Sequence, residues 1–284
     1  MKKNIQILFL FIMSIYSPHG LSKEVAIAMN NFCPYHCLDS DGNWDKNQPG
    51  YVYEIYNEIY TKAGYIFKPV QNSFHRGMVN AGTGIVDAIS GPIKITSKKE
   101  LAQKLKTNIY SGAVYNKLIY STEPISLYQS SCFFGKANMD WSYQGTNSLE
   151  TLQLGSIKDF AYGETLEKYI ESNKENKEKI HLMYGSNIAE RIFMMLIKDR
   201  VEIILLDLNV GLYRIKKSND KSVKLLGCLE EGKRHLYVGF SPVKLQKSIE
   251  LLRVFDTGIQ QMRKSGKLKI IFEKYGLKDW NEAN

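Results

Sequence analysis

Residues 201–209 read VEIILLDLN, with four apolar residues in a row from Ile203 to Leu206 and an acid directly after them. A strand sends successive side chains to opposite faces, so a run with no polar face predicts a sheet that is covered on both sides. Helices are the usual cover, and the chain offers them. EVAIAMN (24–30) reads as a strand, and YVYEIYNEIYTKAG then places Val52, Ile55, Tyr56, Ile59, Tyr60 and Ala63 at helical spacing before Gly64, which suits a C-cap. YIFKPV is the next strand, Phe74 to Gly82 a short helix, and IVDAIS a third strand. This alternation predicts a mostly parallel α/β sheet.

A second series starts near Ser131. CFF and LETLQLGSI read as strands and Glu164 to Ser172 as a helix, and Ser186 is placed to cap a helix with Ala189, Ile192, Phe193 and Leu196 on one face. The strand at 201–209 follows. The end of the chain is helical, in SIELLRVFDTGIQQMRKSG and LKIIFEKYG. Two α/β units in 284 residues predict two lobes of ordinary size. Ligands of open α/β sheets sit at the carboxyl ends of strands.

The N-terminus has the three-part layout of a secretory signal, expected over residues 1–22. Lys2 and Lys3 precede an apolar run from Ile5 to Tyr16, Ser17-Pro18-His19-Gly20 breaks it, and Gly20 and Ser22 are small residues at −3 and −1 of a cleavage after Ser22. The run is short for a bilayer span, although an uncleaved anchor is the alternative. No Cys directly follows it, which argues against a lipid anchor. The expected mature protein is soluble and exported. The formal net charge of +9 could attract acidic partners, yet the basic residues are mixed with acids, as in ESNKENKEK (171–179), the wet face of a helix. No nucleic-acid motif is present, and no nucleic-acid partner is expected.

Four cysteines, Cys33, Cys37, Cys132 and Cys228, make an even count, which favours disulfides in an oxidising compartment. CPYHC also invites a metal reading, but haem attachment needs a His after the second Cys and His36 precedes Cys37, while zinc needs more ligands than this cluster offers. Disulfide and free thiols stay open as alternatives. No Ser/His/Asp set, metal spacing or phosphate loop is visible, so no catalytic residue and no cofactor is expected.

Several segments, in order, resemble the family 3 extracytoplasmic solute-binding proteins, which have the type II periplasmic binding fold and serve polar amino-acid ABC transporters. PGYVYEIYNEIYTKAGYIFKPV looks like the family's Gly-aromatic opening, helix, Gly and strand. FHRGMVNAGTGIVDAISGPIKIT is similar to its W-x-R … D-A-I … T segment, with Phe74 for the Trp and Arg76 in the Arg position. YSTEPISLYQSSCFFGK, DRVEIILLD and HLYVGFSP with MRKSGKLKIIFEKYGL resemble the later motifs. The resemblance implies two lobes joined by two crossings: lobe 1 over 24–126 plus 229–284, lobe 2 over 127–228. It also places Cys132 and Cys228 near the crossing strands, where a disulfide would staple the hinge side of lobe 2.

For function, the resemblance implies a periplasmic, monomeric, non-enzymatic receptor that captures a small-molecule ligand and delivers it to the membrane permease of an ABC transporter. A cyclohexadienyl-dehydratase-like enzyme on the same scaffold and a ligand-sensing partner of a signalling protein are the alternatives. Amino-acid ligands need partners for both of their charges, because a zwitterion loses its hydration in the cleft. Tyr35 and Phe74 match the family's aromatic platform, against loop or core alternatives, and Asp207 matches the ammonium-binding acid, against a role capping the following helix. Thr96 is kept, but Lys94 takes the place of a small hydroxyl residue, and the Arg that grips carboxylate falls on Lys98 or Lys99. Lys supplies a point charge and not a bidentate fork. The Gly-Thr-Thr of lobe 2 becomes Asp159-Phe160-Ala161, which makes Lys158, Phe160 and Tyr162 candidate contacts. The lysines make a carboxylate-bearing solute the expected ligand.

Overall fold

A computed structural model describes residues 23–95, 114, 117–158, 160–185, 187–218 and 221–279. The expected signal (1–22), Thr96, Lys98, Lys99, Asp159 and Ser186 lie outside these residues.

The described chain forms two sheets. In the first, β1 (Lys23–Met29) lies between β2 (Tyr65–Gln71) and β3 (Ala88–Ile93), all parallel. Strands β4 (Ile119–Tyr120) and β5 (Ser126–Gln129) join it through a later strand, β11 (Lys233–Phe240), which runs antiparallel to β3, β4 and β5. The second sheet has the order β10-β6-β9-β7-β8, from β6 (Cys132–Lys136), β7 (Leu154–Ile157), β8 (Ile180–Met183), β9 (Ile203–Leu206) and β10 (Val223–Cys228). Here β6 alone opposes the others. Each sheet is therefore mostly parallel in direction, with one reversed strand next to a crossing.

Strand β9 is the centre of its sheet and all four residues are buried, as the apolar run demands. It is shorter than the sequence implied: Asp207 ends it, and Leu208 already begins the helix Leu208–Ser218. LETLQLGSI is also strand only over its last four residues. Its start belongs to a 3-10 turn, Thr146–Leu149, that tucks Leu149 into the second core.

Helix α1 (Tyr51–Lys62) buries the predicted Val52, Ile55, Tyr56, Ile59 and Tyr60, and Gly64 (φ 82°) follows its end. Helix α2 spans Phe74–Gly82. In lobe 2, α3 (Glu164–Asn173), α4 (Ile188–Ile197) and α5 (Leu208–Ser218) cover the second sheet. The last helices, α6 (Leu245–Lys264) and α7 (Lys267–Lys274), return to lobe 1. Leu251, Phe255, Ile259, Leu268 and Phe272 are buried there, and burying each such side chain contributes about 1.5–3 kcal/mol.

The chain crosses between lobes at Ser130–Ser131 and again at 229–232. The two crossings are hydrogen-bonded to each other, Leu229 N to Ser131 O at 2.9 Å and Ser130 N to Gly232 O at 3.3 Å. Cys132 and Cys228 stand opposite each other in β6 and β10 and form a disulfide; Cys33 and Cys37 form the second.

Gly50 shows how tightly the first lobe is locked at α1. It has φ 104°, and a Cβ there would collide with the Tyr35 carbonyl and the His36 backbone. Gly42, at φ 81°, has open space around it. Gly50→Ala should therefore lower the urea-denaturation free energy by roughly 2–4 kcal/mol, strain plus collision, against about 1–2 kcal/mol for Gly42→Ala, strain alone. Equal losses would show that the loop is not held against the helix start.

Candidate functional site

Residues 32–37 form a tight loop closed by the Cys33–Cys37 disulfide. Inside it, Phe32 N donates to His36 O and Tyr35 N to Phe32 O, both at 2.9 Å. Its Pro34 and Tyr35 carbonyls accept from Tyr51 N (2.9 Å) and Val52 N (3.1 Å) at the start of α1. These N–H groups have no partner within the helix, so the loop is a cap as well as a support. The result fixes Phe32, Tyr35 and His36 at the carboxyl end of β1.

These side chains face a cavity of about 110 Å³ between the lobes. Phe74 from α2, Ser90 and Ile93 from β3, and Tyr128 from β5 complete the lobe-1 and crossing walls. Lobe 2 closes it with Phe160 and Ala161. The Phe160 ring meets Phe32 edge-on at 5.7 Å and Tyr128 at 6.2 Å. Ser130 and Ser131 donate to the carbonyls of Ala161 and Tyr162, so the hinge itself holds this segment in position. Asn31 Nδ2 donates to Asn187 Oδ1 at 2.9 Å, a further bond between the lobes.

The polar part of the lining includes Asn30, His36 and Ser90, and the last two are bonded to each other. Their side chains meet at 2.8 Å, and Tyr56 OH donates to the same Ser90 oxygen at 3.0 Å. Burial holds the His36 imidazole down to a pKa of about 3, so it is neutral at any physiological pH. Among the described residues, none that lines the cavity carries a formal charge.

Three of the expected contacts come together here: Tyr35, Phe74 and Phe160. Arg76 and Lys94 are exposed and outside the lining, with the Lys94 ammonium 5.9 Å over the Tyr237 ring. Tyr162 is also outside it, 2% exposed in the second core, where its hydroxyl accepts from Ile157 N at 2.7 Å. Lys158 is exposed. His36, Phe32 and Tyr128 were missed. Of the three, only His36 had a signal in the sequence, in CPYHC, which invites a metal reading and not that of a scaffold for its own His.

Asp207 lies at the back of the cleft, fully buried and not in the lining. Its Oδ1 accepts from Tyr35 OH (3.0 Å) and from Val210 N (3.1 Å), and its Oδ2 accepts from Gln129 N (2.9 Å). The bond to Val210 is an N-cap of α5, the role weighed against ligand binding. Tyr35 OH also reaches Leu127 O at 3.2 Å. One carboxylate thus ties lobe 1, a crossing strand and lobe 2 together.

Burial raises the Asp207 pKa to about 6 in spite of those hydrogen bonds. A carboxylate with a raised folded pKa takes up a proton on folding, so its contribution to stability increases as pH falls from about 6 towards 4. His36 acts in the opposite sense, because its folded pKa is depressed and acidification favours the unfolded chain. Relative to Asp207→Asn, the wild type should gain on the order of 2–3 kcal/mol between pH 7 and pH 4, read from urea midpoints across that range. A difference between the two proteins that does not change with pH would remove Asp207 as the titrating group.

The model of the bacterial extracellular solute-binding proteins, family 3, matches residues 25–278. Comparison with curated sequences finds no match. Among solved structures, a histidine kinase sensor domain with similarity to periplasmic binding proteins superposes with a TM-score of 0.65 at 16% identity, over 90% of this chain and 98% of that one. A variant of the arginine-binding protein ArgBP from T. maritima gives 0.63 at 18% (89% and 94%), and the substrate-binding protein of an amino acid ABC transporter gives 0.62 at 18% (89% and 99%). At such identities these structures establish the shared fold. With a two-lobed fold, paired crossings and a family match over nearly all of the described chain, the protein belongs to the family 3 bacterial extracellular solute-binding proteins.

Proposed function

We propose that this protein works outside the cytoplasm, in the periplasm, as a receptor that encloses one small solute between its lobes and delivers it to the permease of an ABC transporter. The cavity carries this reading. Aromatic walls from lobe 1 are closed by Phe160 and Ala161 from lobe 2, so a bound solute would contact both lobes and favour their closure. We read the site as one for binding and not for turnover: the Ser90 hydroxyl is occupied by Tyr56 and His36, and Asp207, the carboxylate bonded to Tyr35, is spent on structural hydrogen bonds. The carboxylate-bearing ligand expected from Lys94 gains no support from this geometry, since that ammonium lies outside the lining.

A second reading, a ligand-sensing partner of a signalling protein, is supported by the likeness to the histidine kinase sensor domain. Both readings require solute binding. A thermal-shift screen over amino acids, di-acids, peptides and neutral heterocycles should find a compound that raises the melting temperature, because a ligand of the folded state stabilises it by mass action. Deleting the gene should then abolish uptake of that compound. Loss of a transcriptional response with uptake intact would favour the sensor, and no shift with any solute would overturn both.

A further inference from the structure

We propose that the amino-terminal edge of lobe 1 is a membrane-contact surface. Ile85, Val243 and Leu245 enter the interface of an anionic lipid bilayer there, and the lysines around them face its head groups. This edge lies at the far end of the lobe-1 strands from the solute cavity, so it is separate from the solute-receptor reading.

Three turns and the start of β1 make the edge. Helix α1 ends at Lys62 and turns into β2, α2 turns into β3 over residues 83–87, and β11 turns into α6 over residues 241–244. Strand register keeps them level: Glu24 of β1 pairs with Ile66 of β2, and Ala88 at the start of β3 pairs with Phe240 at the end of β11. The second and third turns touch, since a Cβ on Gly84 would meet the Val243 side chain at 3.1 Å. Ile85, Val243 and Leu245 are 69%, 62% and 52% exposed there, and Ile66, one strand beyond Glu24, is 55% exposed. Single exposed apolar residues are ordinary, but several gathered at one edge mark a contact surface.

Two observations point to lipid as what covers it. Residues 1–22 join the fold at Lys23, on this edge, and only six residues separate Lys23 from the apolar run Ile5–Tyr16. The chain thus enters the fold from a membrane-seeking segment on the side that carries the patch. The charge fits as well. Lys23, Lys62, Lys68, Lys244 and Lys247 border the apolar residues, against Glu24, Glu250 and Asp87. Lys68 holds Glu24 at 3.2 Å and Lys23 holds Glu250 at 2.7 Å, while the buried Asp87 is shared by Lys244 and Lys247 at 3.4 and 2.7 Å. Lysine stems can keep their charge at head-group level while apolar neighbours go deeper, and anionic lipid attracts the excess of cations. A permease that takes up solute fits this edge less well, because the cavity opens at the carboxyl ends of β1 and β3, about 20 Å away along the strands.

Vesicle flotation of the mature chain from Lys23, which contains every described element of both lobes, reads the contact directly. Vesicles of phosphatidylglycerol and phosphatidylethanolamine should retain about tenfold more protein than phosphatidylcholine vesicles at low salt, and high salt should remove most of that preference. Joint Ile85→Ser, Val243→Ser and Leu245→Ser substitution should lower partitioning about tenfold. The melting temperature and any solute-induced shift should stay as in the wild type, because these side chains are exposed and outside the cavity lining. Val243→Trp reads the same contact without removing apolar surface: it should add blue-shifted emission on anionic vesicles, quenched by brominated acyl chains. Emission that stays unshifted with the protein bound would mean adsorption by charge alone and overturn the proposal. So would no retention on anionic vesicles, or retention indifferent to the triple substitution. A dimer in the absence of lipid that the substitution dissolves would assign the surface to a second copy. Binding to native inner-membrane vesicles but not to lipid alone would assign it to a membrane protein, and either result also overturns the proposal. Solute binding, read separately by thermal shift, stands or falls independently of all these outcomes.

Discussion

A carboxylate cannot remain charged in a protein interior unless its oxygens are hydrogen-bonded, and Asp207 satisfies that constraint from three directions. Tyr35 comes from the disulfide loop of lobe 1, Gln129 from a crossing strand, and Val210 from the first turn of a lobe-2 helix. Groups distant in sequence are thereby brought to one point behind the cleft. Burial still outweighs these bonds, since the acid stays weaker than an ordinary aspartic acid. The Tyr35 ring is held by the same contact in an orientation that serves the cavity, with Tyr51 packed 5.0 Å away and bonded through its hydroxyl to Ser126 at 2.5 Å.

The cleft and this tie have different physical characters although they share Tyr35. Behind the ring, hydrogen bonds to a carboxylate hold the lobes and the crossing. In front of it, the described lining is aromatic and aliphatic and its polar groups are neutral. A binding protein gains from the separation: the scaffold can be stiff and charged where water and ligand do not reach, while the ligand contacts only groups that suit it. Both disulfides lie on the scaffold side, one at the base of the loop that carries Tyr35 and His36, the other next to the crossings.

Much of the architecture was legible because local patterns and global fold agree. Helix α2 begins at Phe74 and ends at Gly82, as its sequence indicated, and α1 buries every residue spaced for its core face except Ala63, which follows the helix end and is exposed. The apolar run before Asp207 did form a central strand. Its length was overestimated because Val201-Glu202 and Leu208-Asn209 continue the run in one dimension, whereas the Val210 N–H makes Asp207 the cap of a helix that already begins at Leu208. Among the expected contacts, the aromatic ones Tyr35, Phe74 and Phe160 line the cavity, whereas the cationic ones, Arg76 and Lys94, are exposed outside it. An aromatic side chain near the carboxyl end of a strand has few places to go other than core or cleft, but a lysine stem can carry its charge to water from almost any starting point.

Family, α/β class and the succession of strands and helices were thus properties of the sequence itself, since periodicity, glycine positions and ordered motifs are local and survive reading in one dimension. Tertiary structure alone decided that His36 lines the cleft as a neutral group against Ser90, that Asp207 serves the scaffold, and that Lys94 is exposed outside the cavity lining. Each of these depends on which residues from distant segments meet and on how far water is excluded from them, and neither quantity exists until the lobes have packed.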